Sequence, residues 1–403
     1  MTSRERVLAA LNHNEPDRIP LDLGGTESSC ISGIAYNRLK KYLGIKSGET
    51  CIYDVYQQIT KIEGNVRSQL EIDTIPLLFE PKQWKPFRLP DNSSCMIPEK
   101  WNPEGDGHGN LVVKNQKGEV TAIMPRGGYY FEPVNPPLKD INDSSELNAN
   151  SDVINSYDLP TFADETLETI GDRARYLYEK TDYAIVANLQ MHLLAAGQQL
   201  RGFENFMVDL LINKPLAHAL LERLNDAYIE RCSRYLKQVK DCIQIVLVND
   251  DLGTQTGPML SVDCYREMIW PYQKRLFEFI KKESGAYILF HSCGSVKQFI
   301  PSLIEAGVDA LNPVQVSAAE MDTKELKKEF GRDITFWGGG CDTQHVLGSG
   351  TPGEIRDEVK RRIDDLAARG GFVFTQVHNI QPDVPPDNIM AMYEAFHKYR
   401  EHT

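Results

Sequence analysis

Residues 287–314 read YILFHSCGSVKQFIPSLIEAGVDALNPV, and the reading of this stretch decides the fold class. Tyr287–His291 is a short, unbroken apolar run, the pattern of a strand buried on both faces of a parallel sheet. Val296–Ala306 reads as a helix, and Gly307 behind it is the expected C-terminal stop. Ala310–Pro313 is a second apolar run. Strand, helix and strand in one short span make a βα repeat unit.

The same alternation extends in both directions. Further strand-like runs are Ile19–Leu23, Ile75–Phe79, Ala184–Leu189, Ile243–Asn249, Ile334–Trp337 and Phe372–Gln376, with helical stretches at Pro215–Lys240, Val262–Glu283 and Pro352–Arg369. Thr351-Pro352-Gly353-Glu354 has the residues of a capping box with proline at the first helical position. Repeated βα units predict a TIM (β/α)8 barrel, with a doubly wound open sheet as the alternative. Residues 82–138 break the rhythm. They are rich in Pro, Gly and Asn, and Asn110–Lys114 and Glu119–Met124 flank a turn at Asn115–Gly118, a β-hairpin pattern. The expectation is a single barrel domain over 1–403, with a small antiparallel β insertion at about 82–138 above one barrel mouth. Asp140–Ser156 reads as a polar loop or linker.

Composition narrows the function. Of 403 residues, 41% are hydrophobic and 25% charged, with a net charge of −13. A nucleic-acid surface needs a basic excess, so that class is set aside. No stretch approaches the roughly 20 apolar residues of a membrane span. The opening MTSRERVLAALNHNEPDRIP reads as an amphipathic helix rather than a signal peptide. The eight cysteines are scattered through a long chain, unlike a secreted disulfide scaffold. The expected location is cytoplasmic, with reduced thiols.

In a TIM barrel, chemistry sits past the C-terminal ends of the strands. There the sequence places Asp22, then Asn188, Gln190 and His192, then Asn249-Asp250-Asp251, His291-Ser292-Cys293, Asn312, Cys341 after Gly338–Gly340, and His378-Asn379. His291, Cys293 and Cys341 form a soft nitrogen and sulfur set suited to zinc, and three protein ligands leave a fourth position open for catalysis. The same spacing also fits a buried histidine beside two inert thiols. Asp250 and Asp251 are candidates for a fourth ligand, a base or a substrate anchor, and one of them is expected to be structural. Asp22, Asn188, Gln190, His192 and His378 form the candidate substrate-binding set. For His378, bracing of its loop is the competing role. Cys30, Cys51, Cys95, Cys232, Cys242 and Cys264 have no convincing metal spacing, and most of them are expected to be ordinary buried thiols.

Several segments together resemble the uroporphyrinogen decarboxylase superfamily, particularly its zinc-dependent methyltransferase branch. They are RERVLAALNHNEPDRIP, NDDLGTQTGPMLS, HSCG, WGGGCDTQ and GGFVFTQVHNIQPDVPPDNI, and they span essentially the whole chain. The resemblance implies a TIM barrel binding zinc through a His-x-Cys pair and a later cysteine, roles that map onto His291, Cys293 and Cys341. It implies methyl transfer between a small-molecule methyl donor or acceptor and a corrinoid. The chain lacks the Asp-x-His-x-x-Gly signature of cobalamin-binding domains, so the corrinoid is expected on a separate protein. A second copy of the chain is a further candidate partner. Uroporphyrinogen decarboxylase itself is the alternative, but Leu21–Thr26 has no arginine where the decarboxylases carry an arginine-rich segment for a polyanionic tetrapyrrole. A non-catalytic metal-binding barrel is the third reading.

Overall fold

The computed structural model describes residues 1–115, 117–157, 165–189 and 191–401. Its apolar runs form one parallel sheet of seven strands, side by side in chain order: β1 (Thr74–Leu77), β2 (Ala184–Asn188), β3 (Ile245–Asn249), β4 (Tyr287–His291), β5 (Ala310–Asn312), β6 (Thr335–Trp337) and β7 (Phe372–Val373). The expected strand Ile19–Leu23 is reduced to one parallel bridge, Leu21 to Phe374. Pro20 has no N–H for a ladder, and Gly24 follows in left-handed backbone at φ 82°, so the run stops. It nonetheless joins the two sheet edges. Asp22 N–H donates to the Phe374 carbonyl at 2.9 Å, and Asp73 N–H donates to the Leu21 carbonyl at 2.8 Å. The sheet closes on itself within a jacket of helices, so the fold is TIM-barrel-like.

Side chains alternate across each strand, and this sets what the lumen contains. Ala184, Val186, Ile245, Leu247, Leu289, Ala310, Trp337 and Val373 form one apolar cluster with Val7, Ala10 and Leu11 of the helix Ser3–Leu11. That helix lies under the strand starts, where the Tyr287 hydroxyl donates to Asn12 Oδ1 at 2.8 Å and Gly371 N–H to the Ala10 carbonyl at 3.0 Å. It stoppers the lower end. The intervening residues, among them Ala187, Val246, Phe290 and Leu311, belong to the larger apolar layer beneath the outer helices. Two residues further along the inward series stand Asn188, Asn249, His291 and Asn312. Parity therefore delivers all four side chains to the upper lumen.

Three expectations change in detail. Val262–Glu283 is two helices, Val262–Met268 and Trp270–Ser284, and Val296–Ala306 is a 3-10 turn, Lys297–Phe299, followed by Ile300–Ala306. Pro271 and Pro301 stand in the first turn of the second piece in each case, where a missing N–H costs nothing, but neither can continue a preceding helix. Asp140–Ser156 is not all loop. It holds a 3-10 helix, Ser144–Asn150, opened by an Asp143/Glu146 capping box, and a short helix, Ser151–Asn155. Leu147 and Ile154 anchor them in the core.

The 82–138 segment contains the expected hairpin, Leu111–Lys114 with Val120–Met124, inside a four-stranded antiparallel sheet completed by Glu104–Gly105 and Glu132–Pro133. A second hairpin pairs Trp84–Arg88 with Ser94–Pro98. These strands bury a core around Leu89, Ile97, Trp101, Ala122, Met124 and Phe131, shared with Ile34, Ile52 and Val55 from the preceding segment.

Candidate metal centre at the barrel mouth

His291 ends β4, and the turn Ser292-Cys293-Gly294 folds back over it. The turn is locked to the one after β3: Cys293 N–H donates to Asp251 Oδ1 at 2.8 Å, and Leu252 N–H donates to Ser292 Oγ at 2.9 Å. Gly294, at φ 86°, allows this contact, since a Cβ there would lie 2.4 Å from the Gly253 carbonyl carbon. The result brings Cys293 Sγ to 3.4 Å from His291 Nε2. His378, on the loop after β7, sets its ring edge-on to His291 with centroids 5.7 Å apart. The donor atoms of His291, Cys293 and His378 all lie within 4.8 Å of one another, and among the described residues no other such group of three occurs.

This donor set fits a zinc ion. With bonds of about 2.05 Å to nitrogen and about 2.3 Å to sulfur, tetrahedral ligands stand about 3.5 Å apart, so the His291–Cys293 pair is already at coordination spacing. Burial, then the neighbouring His291, pulls the His378 pKa down to about 4, leaving a neutral imidazole with a lone pair to donate. Burial pushes the Cys293 thiol well up, and the Asp251 carboxylate adds to this. Such a thiol keeps its proton until a cation compensates the thiolate, which couples metal binding to proton release.

Cys341 is not part of the group. Counting by twos from Trp337 makes it an inward position, but Gly338 and Gly339 lie between at φ 107° and 80° and break the alternation. Cys341 is fully buried and belongs instead to the larger apolar cluster beneath the outer helices. Its thiol is pushed well up by burial and by the nearby carboxylates of Glu358 and Asp342. The third donor of the convergent set is His378, which the sequence had suggested as a substrate contact.

The uroporphyrinogen decarboxylase family model matches residues 155–399, more than half of the chain. The chain belongs to the uroporphyrinogen decarboxylase family. Among curated relatives, the uroporphyrinogen decarboxylase of Legionella pneumophila is 27% identical over 207 residues, covering 51% of this chain and 54% of that protein. The one from Chromohalobacter salexigens is 30% identical over 198 residues, covering 47% and 50%. The chain thus spans about half the length of these relatives. A solved methyltransferase from Methanosarcina mazei superposes with a TM-score of 0.62 over 99% of both chains, at 14% identity. That likeness extends the shared fold over the whole chain.

Within this uroporphyrinogen decarboxylase family barrel, the remaining candidates separate. Asp251 stays open, its side chain 53% exposed with Oδ1 3.8 Å from His291 Nε2. Asp250 is buried, and its carboxylate accepts from the N–H groups of Leu193, Leu194 and Ala195 and from Gln273 Nε2 at 2.8–3.0 Å. It thereby caps the helix Leu194–Arg201 from a neighbouring strand. Asp22 is fully buried. It accepts from Thr74 Oγ1 at 2.5 Å, Gly25 N–H at 2.8 Å and Trp337 Nε1 at 2.8 Å, and burial raises its pKa. Asn188 donates to buried Glu27. His192 rests edge-on against Tyr157, centroids 6.2 Å apart, and Gln190 lies outside the described residues.

Two further residues stand at the mouth: Asn249, which the sequence placed at a strand end without a role, and Tyr130. Asn249 is the direct register partner of His291, and its buried Oδ1 has no hydrogen-bond partner. Strand parity was the signal for it. Tyr130, from the 82–138 segment, donates to Asn379 Oδ1 at 3.0 Å beside His378, and Asn379 Nδ2 donates to Gln57 Oε1 at 3.0 Å. No local pattern marks Tyr130. Of the other thiols, Cys30, Cys95, Cys232 and Cys242 are buried and Cys51 and Cys264 half-buried, with burial raising Cys95 and Cys232 to about 12.

Proposed function

We propose that this chain is a zinc-dependent methyltransferase that moves a methyl group between a small substrate and a corrinoid carried by a separate protein. The convergence of His291, Cys293 and His378 on one point of the barrel mouth carries the reading. Zinc there supplies a Lewis acid that holds an acceptor thiol as thiolate or draws charge from the heteroatom of a methyl donor. The chain's own groups prepare the site. Asp251, exposed at the edge of the triad, is placed to orient the reacting group or add a fourth ligand. Asn249 presents an unmatched acceptor oxygen to a substrate N–H or O–H. Asn188 with Glu27 forms a polar wall, while the apolar lower lumen excludes water. We read residues 82–138 as an insertion into one barrel domain that walls the mouth, since Tyr130 reaches from it to Asn379.

Metal analysis tests the carrying observation. The purified protein is expected to hold about one zinc per chain, and His291→Ala, Cys293→Ala and His378→Ala are each expected to lose most of it while the barrel stays folded. Methyl transfer to or from a reduced corrinoid protein should fall with the metal. Full transfer by zinc-free protein overturns the reading.

Uroporphyrinogen decarboxylation is the second reading, favoured by the names of the curated relatives. It fits the local chemistry less well. The segment after Pro20 has no arginine, and the side chains named around the triad are neutral or acidic, poor company for a substrate of many carboxylates. Coproporphyrinogen formation by the purified chain would replace the first reading with this one.

A further inference from the structure

We propose that Asn312 is a positioning residue that holds His291 as its Nδ1–H tautomer, with the Nε2 lone pair directed at Cys293 Sγ. The assignment follows from which groups can only donate or only accept. Asn312 Nδ2 donates to the Trp337 backbone carbonyl at 2.9 Å. A carbonyl accepts and never donates, so the amide orientation is fixed and Oδ1 points the other way. Oδ1 meets His291 Nδ1 at 2.8 Å and also accepts from Ser28 Oγ at 2.7 Å. An amide oxygen cannot donate, so Nδ1 must carry the hydrogen. A neutral imidazole has one N–H, which leaves Nε2 bare at 3.4 Å from Cys293 Sγ.

The opposite tautomer is penalised on both sides. Its Nδ1 lone pair would face the Oδ1 lone pairs, and flipping the amide to relieve this would turn Oδ1 onto the Trp337 carbonyl. Trp337 cannot easily yield. Its indole Nε1 donates to Asp22 Oδ2, and Asp22 is held in turn by Thr74 and Gly25. Asn312 is completely buried, so water does not compete for these bonds. The buried residues of the 22–28 segment thus act on the mouth through Asn312: Asp22 by way of Trp337, Ser28 directly. This rests on the proposed metal role only for its purpose. The tautomer itself belongs to the metal-free protein.

The first measurement needs no metal. In protein labelled with 15N in the histidine rings, His291 is expected to show the Nδ1–H pattern at neutral pH. Asn312→Leu should shift it toward the other tautomer. The second measurement is zinc affinity by competition with a chelator. Loss of such an outer hydrogen bond typically weakens binding about 10–100-fold, so Asn312→Leu is expected in that range, with Ser28→Ala weakened less and its tautomer intact. An Nε2–H pattern in the wild type overturns the proposal even if no variant folds. So does a folded Asn312→Leu protein with unchanged tautomer and zinc affinity. Should the wild type bind no zinc, the metal reading falls, and the tautomer alone decides this one.

Discussion

The Asp250 carboxylate accepts four hydrogen bonds, whereas Asp251 beside it accepts from Cys293 N–H on the open side of the triad. Substitution should separate them. Asp250→Ala strands three backbone N–H groups and Gln273 in a buried place, and is expected to cost about 3 kcal/mol or more in urea unfolding. Asp251→Ala should change stability by no more than about 0.5–1 kcal/mol and still lower turnover severalfold. Equal stability losses in the two variants would erase the distinction. A second contrast concerns the metal: Cys341→Ala should keep its zinc, and His378→Ala should not. The sequence made His291 and Cys293 legible because two residues at a strand end are close whatever the rest of the chain does. Parity pointed to Cys341 as well, because it counts through glycines as if they were strand. The positive φ of Gly338 and Gly339 is a tertiary fact, set by close packing against Val314 and Asn312. His378 lies five residues beyond the last paired strand residue, where no period predicts direction.

At the scale of elements, the apolar runs predicted the strands well because both faces are buried and nothing competes with that pattern. Their ends were less legible, since prolines and glycines decide them one residue at a time. Helix Thr323–Phe330 offers a test away from the mouth. Lys327 on it donates to the Gly370 carbonyl at 2.5 Å, and burial, then Arg369, lowers its pKa to about 8. An unfolded lysine titrates near 10.4, so between about pH 8 and 10.4 the unfolded chain binds more protons than the folded one, and stability from this group rises with pH. From pH 7.5 to 9.5 the wild type should gain about 2 kcal/mol relative to Lys327→Met. Denaturant midpoints at the two pH values measure this, and a constant gap would mean the ammonium is better solvated than its surroundings suggest.

Across the whole molecule, no helix of the described residues is long and apolar enough to cross a membrane, and the two ends of the barrel differ in kind. The upper end carries the triad, and Tyr130 of the 82–138 segment reaches Asn379 beside it. Replacing Leu111–Met124 with a short glycine link is expected to leave zinc in place and to cut turnover with the corrinoid partner about tenfold or more, an effect of about 1.4 kcal/mol or more on the barrier. Undiminished turnover in a folded, zinc-loaded protein would remove this segment from the docking surface. The lower end is stoppered by Val7, Ala10 and Leu11, and that plug bears on kinetics. A lumen with one opening admits and releases everything through the same gate. If a carrier protein must sit on that gate, the small substrate has to enter first, and its product leaves only after the carrier does. Binding order would be compulsory, and surplus carrier would act as an inhibitor, closing empty barrels until more small substrate competes it away.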